Sequence, residues 1–148
     1  MDHENYVMAQ ENTRNLHKVS VINAAVSVRN GVVRYSKAAN ADAFHIQEDG
    51  EGKCLVEVSA LTIRDIMKQY NLHHIDYLKM DIEGTETALF SHDISWLAVV
   101  QSLNIEVHNG GLEQFISKLA HNGFEAWKDT HHWSSVLAVR RGGKFRKE

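Results

Sequence analysis

Ile75-Asp-Tyr-Leu-Lys-Met-Asp-Ile-Glu-Gly-Thr-Glu86 is the stretch that decides the fold. Its first half is apolar at Ile75, Tyr77, Leu78, Met80 and Ile82, the pattern of a buried strand. Asp81 and Glu83 stand where that run stops, Gly84 breaks it, and a helical pattern opens at Thr85. A strand that hands over to a helix at acidic residues marks the carboxyl edge of an α/β sheet. Ligands bind and chemistry occurs at that edge.

The rest of the chain reads outward from this point. Upstream, residues 4–16 have the spacing of a helix, with Tyr6, Val7, Ala9 and Leu16 as its apolar positions. Lys18 to Val28 is β-branched and reads as a strand, Asn30-Gly31 as a turn, and residues 32–35 as the second arm of a hairpin. Residues 37–53 are polar, without period, and read as a loop. Residues 55–60 alternate as a short strand. Ser59 or Thr62 caps a helix to about Tyr70, with Leu61, Ile63, Ile66 and Met67 inward. Downstream come a short helix over 85–90, a strand over 99–107 and an amphipathic helix over 112–121 that stops at Asn122-Gly123. Two final strands, 124–128 and 134–140, flank Asp129-Thr-His-His, and residues 141–148 form a basic tail. Strands alternating with helices predict one α/β domain over 1–148, its sheet mainly parallel with an antiparallel C-terminal hairpin.

Composition narrows the function. The chain has 148 residues, 43% of them hydrophobic and 24% charged, ordinary values for a water-facing globule. A net charge of −3 argues against general nucleic-acid binding. No apolar run approaches the roughly 20 residues of a membrane span. Cys54 is the one cysteine, a small packing residue rather than a nucleophile, and a reducing cytoplasmic setting is expected.

The segment Ile75-Asp-Tyr-Leu-Lys-Met-Asp-Ile-Glu-Gly-Thr-Glu-Thr-Ala-Leu-Phe90 resembles the signature of FkbM-type methyltransferases, IDxLKxDxEGxExxxL. Glu11-Asn-Thr-Arg, Val21-Ile-Asn-Ala-Ala-Val-Ser, Ser59-Ala-Leu-Thr and Ile105-Glu-Val-His extend the resemblance over residues 4–139. It implies a Rossmann-like, S-adenosylmethionine-dependent enzyme that methylates a hydroxyl of a sugar or another natural product. The implied sheet order is 3-2-1-4-5-7-6, with residues 18–28 as the third strand, 75–82 as the fourth and 99–107 as the fifth. On that map the chain corresponds to the C-terminal two-thirds of the domain, lacking the first two strands. Its nine glycines form no GxGxG cofactor loop. Weak or no cofactor binding by this chain is the expectation. So is an exposed sheet edge at the fourth strand, favouring homo-oligomerisation or pairing with another polypeptide in a non-catalytic module.

The candidate site follows from chemistry. Transfer of a methyl group to a hydroxyl needs alignment of the two groups and a base. Asp81 is the first candidate for the base. Its alternative roles are orienting the methionine part of the cofactor or binding a divalent ion, and its structural alternative is a cap on the helix near Gly84. Glu83 reaches substrate or shapes the turn. Glu86 lies in the first helical turn, where the helix dipole favours negative charge. Glu106 and His108 share a face at the end of their strand, with His108 a second candidate base. Lys79 is expected to pair with Glu106 or Asp81. Asp81, Glu106 and His108 offer metal-ligand chemistry, but their spacing is not diagnostic, and no metal is predicted. The class of fold implies that Ala25 and Val26 line the adenine. His73-His74 and His131-His132 are expected at the surface, and Trp96, Trp127 and Trp133 in packing.

Overall fold

The structure, a computed structural model, describes residues 3–36, 55–108 and 111–142. The 37–53 loop, Cys54 and the basic tail beyond Gly142 lie outside the described residues. The chain divides into two compact units, 1–62 and 63–148.

The first unit contains α1 (His3–Thr13), β1 (Ala24–Val26), β2 (Gly31–Ser36) and β3 (Leu55–Leu61). Its sheet has the order β1-β3-β2. The expected long strand over 18–28 shrinks to three residues, because β3 offers β1 a partner only from Ser59 to Leu61. The expected hairpin is corrected too. After Asn30-Gly31 the chain does not fold back on β1. It pairs antiparallel with β3 instead, from Gly31↔Ala60 to Ser36↔Leu55. Six paired positions on that edge outweigh what a three-residue strand offers. Asn30 stays useful: its side-chain oxygen accepts the Thr62 N–H at 3.0 Å. The apolar positions read in α1 do not make a core, since the helix buries none of its residues.

The second unit runs α2 (Ile63–Gln69), β4 (Ile75–Met80), α3 (Glu86–Ser91), a 3-10 turn (Ser95–Val99), β5 (Val100–Glu106), α4 (Leu112–His121), β6 (Phe124–Lys128) and β7 (Ser135–Arg140). Its sheet has the order β4-β5-β7-β6. β4 and β5 are parallel, with Met80 beside Ile105, while β5–β7 and β7–β6 are antiparallel. The C-terminal hairpin is therefore present. The mainly parallel single sheet is not: the described strands form two mixed sheets, with three antiparallel pairings against two parallel ones.

The core of this unit is built by alternation. Val100, Leu103, Ile105, Val136 and Ala138 point inward and are essentially inaccessible. α4 lays Phe115 and Leu119 over them, as its apolar periodicity predicts. Phe90 meets Phe115 at 5.0 Å and Trp96 edge-on at 5.7 Å, both favourable aromatic geometries. α4 ends as read: the Asn122 N–H reaches Lys118 and Leu119 carbonyls, and Gly123 follows at φ +87°. Arg140 closes this end. Its guanidinium lies 4.4 Å over the Phe124 ring while Nε donates to the Val100 carbonyl at 2.8 Å. No helix among the described residues is long and apolar enough to cross a membrane.

Candidate functional site

Because β4 and β5 are parallel, both deliver their carboxyl ends to the same edge. β4 stops at Met80, which puts Asp81 at the edge. β5 stops at Glu106, and His108 follows two residues later. β7 runs the other way, and its first residue, Ser135, pairs with Glu106. The segment before it, with His132 and Ser134, therefore reaches the same place.

The turn between β4 and α3 is held by Glu86 and by Thr85, whose Oγ1 donates to the Ile82 carbonyl at 3.0 Å. Glu83 and Gly84 both adopt left-handed backbone, at φ +52° and +98°. That conformation is easy for glycine and costs a side-chain-bearing residue about 1 kcal/mol or more. Glu86 stabilises it: its Oε1 accepts the Ile82 and Gly84 N–H groups at 3.2 and 3.3 Å. Glu86 is wholly buried. No side chain caps α3, Asp81 included, and Asp81 keeps a side chain 43% exposed at the edge.

His108 organises the cluster. Its Nδ1 lies 3.0 Å from Glu86 Oε1. A carboxylate there fixes the ring, with the proton on Nδ1, and turns Nε2 outward. Nε2 faces three carboxylates: Glu83 at 3.5 Å, Asp81 at 3.7 Å and Glu106 at 3.8 Å. Burial works against a charged imidazole here. The Glu86 hydrogen bond and the charges of Glu86, Glu83 and Glu106 outweigh it, so the His108 pKa is raised.

Glu106 is held differently. Lys79 Nζ is 3.4 Å from its Oε2, Ser134 Oγ donates to Oε1 at 3.4 Å, and His132 Nε2 is 3.7 Å away. Burial raises its pKa, but the Lys79 hydrogen bond and the His132, Lys79 and His108 charges prevail, and the pKa is lowered. Lys79 also reaches Asp81 Oδ2 at 3.6 Å, so it pairs with both of its expected partners.

All four residues read as catalytic, Asp81, Glu83, Glu106 and His108, come together at this edge. Of the cofactor positions, Asp81 is here, while Ala25 and Val26 lie in the first unit, half-buried in β1 against Ala60 and Leu61. Three features escaped the sequence. Glu86 is the central buried support rather than a residue of the helix dipole alone. His132 is not a plain surface residue: its Nδ1 also lies 3.1 Å from both Ser134 and Ser135 Oγ. Trp133, expected in packing, is 88% exposed, whereas Trp96 is buried as expected. Only the Glu86–Asp81 spacing across a glycine hinted at the first. The other two depend on strand register, which no local pattern reveals. His73 and His74 sit at the surface, bonded to Asn71 and Asp76.

Residues 5–142 match the model of the methyltransferase FkbM domain, and the chain belongs to that family. Searches of curated proteins and of solved structures each returned no significant match. Membership implies S-adenosylmethionine as the methyl donor.

Proposed function

We propose that the carboxyl edge of β4 and β5 takes the proton in S-adenosylmethionine-dependent methylation of a hydroxyl on a sugar or another small natural product. The observation that carries this reading is the His108–Glu86 pair, with Nε2 directed at Asp81 and Glu83. The order β4-β5-β7-β6 supports it, since it matches the 4-5-7-6 part of the order expected for a Rossmann-like methyltransferase sheet.

The residues present suit one end of the cofactor. S-adenosylmethionine carries positive charge on its sulfonium and ammonium groups, and Asp81 offers an accessible carboxylate at an acidic edge. The adenosine end lacks a GxGxG loop in this sequence, so the edge alone would hold the cofactor weakly. When bound, the cofactor supplies a methyl group on sulfur that is ready for in-line displacement. The chain's own residues handle the proton. Glu86 holds the ring, His108 Nε2 accepts the hydroxyl proton, and the carboxylates of Asp81 and Glu83 stabilise the imidazolium that forms. The oxygen attacks the methyl carbon, and the carbon–sulfur electron pair leaves with sulfur.

Methyl transfer from labelled S-adenosylmethionine to a panel of sugars and hydroxylated small molecules tests the reading. Asp81→Asn and His108→Ala should each lose at least about a hundredfold in rate, as expected for a general base and its partner. Near-parental rates in both would refute it.

One observation favours a second reading, a non-catalytic module that associates. β4 is the outer strand of its sheet, and Tyr77 on it is 57% exposed. An open strand edge is a template for pairing with another chain. Absence of methyl transfer together with a stable dimer would favour this reading.

A further inference from the structure

We infer that Asp81, Glu83 and His108 form a binding site for a divalent first-row transition-metal ion. This goes beyond the proposed methyl transfer, and its functional consequence rests on that reading, but the site stands on its own geometry.

One ligand atom from each of Asp81, Glu83 and His108 lies within 4.8 Å of the other two. Nε2 is 3.7 Å from the Asp81 oxygen and 3.5 Å from the Glu83 oxygen. Bonds of roughly 2.1 Å place neighbouring donors in a tetrahedral site about 3.4 Å apart. Both carboxylate oxygens thus stand near that spacing from Nε2 before any ion arrives. Mixed imidazole and carboxylate ligands suit manganese, iron, cobalt or zinc better than calcium.

The second observation comes from beneath the cluster. Glu86 is wholly buried, and its carboxyl is aimed at the inner nitrogen of His108. Its Oε2 has no hydrogen-bond partner among the described residues. Burying a carboxylate with one oxygen unsatisfied is costly. The arrangement is the carboxylate–histidine relay that orients a metal-bound imidazole and raises its basicity. Glu106 is excluded from the set although it is near, because Lys79, Ser134 and His132 already occupy its oxygens. Lys79 approaches Asp81 through Oδ2, which leaves Oδ1 for the ion.

Ion and proton are alternatives at Nε2. With the ion seated, His108 would hold it instead of taking the proton, and a hydroxyl bound to the ion would be more acidic and would lose its proton to water.

The test is titration of the chelator-treated full chain with Mn2+, followed by electron paramagnetic resonance, and with Co2+, followed by visible absorption. Neither needs methyl donor or acceptor, so failure here is separable from failure of methyl transfer. One ion per chain at micromolar concentration is expected. Asp81→Asn and His108→Ala should each weaken it by roughly tenfold or more, and His74→Ala, at the surface, should not. Asp81 is half-exposed, so its variant decides the matter if His108→Ala fails to fold. No binding of either ion at millimolar concentration, or equal binding by Asp81→Asn and the parent, would overturn the site.

Discussion

Glu86 decides the behaviour of His108 at the residue scale. The two are joined at 3.0 Å, and the histidine pKa is raised by that bond and by the surrounding carboxylates. A group whose folded pKa exceeds its ordinary value stabilises the fold while it is protonated. Its contribution is complete below the ordinary histidine value of 6.5 and fades as pH climbs through the raised folded value. Glu106 has the opposite sign. Its lowered pKa contributes stability above the ordinary value of 4.5, and that stability is lost as pH falls through the folded value. The cluster therefore contributes most between these two ordinary values. In metal-free protein, Glu86→Gln should move the His108 titration, followed by NMR of the ring protons, down toward the ordinary range. An unchanged titration would show that Glu86 does not govern the ring. Gly84, at φ +98°, gives a second expectation: Gly84→Ala should destabilise the fold by about 1 kcal/mol or more, read from denaturant midpoints.

At the scale of elements, legibility followed locality. β4, β5, α4 and the closing hairpin were readable because each carries its own period and its own stop, Asn122-Gly123 being the clearest. Pairing partners were not. Asn30-Gly31 announces a turn but does not say which strand waits beyond it, and the partner was β3, across residues 37–54 in the chain. The same reasoning covers the site. Asp81 and His108 were visible as residues at strand ends. The meeting of Ser134 and His132 with Glu106 depends on β7 running antiparallel to β5 in one register. α4 covers the core of the second unit with Phe115 and Leu119. Leu119 is fully buried, so Leu119→Ala should cost about 2–5 kcal/mol in chemical denaturation, with the cavity left beneath the helix setting the value. A loss below that range would mean that the helix settles into the gap.

At the scale of the whole molecule, two mixed sheets replace the one sheet anticipated from the motif order. β4 ends its sheet without a second partner strand among the described residues. Multi-angle light scattering should therefore report a mass above that of one 16.8 kDa chain at micromolar concentration. A sharp monomer would count against association through this edge. The outcome bears on the candidate site as well as assembly, since the same strand ends at Met80, next to Asp81.

The paired left-handed residues Glu83 and Gly84 carry a consequence for inheritance. Their backbone, and the buried carboxyl that anchors it, would be demanded by folding even in a lineage that had abandoned methylation. Two selections are therefore written over one another in six residues. Gly84 and the turn bonds of Glu86 answer to foldability, whereas Asp81, half in water, accepts no turn hydrogen bond. A library of variants sorted first for abundance and then for ion binding should separate them: Gly84 and Glu86 intolerant in the first sort, Asp81 intolerant only in the second.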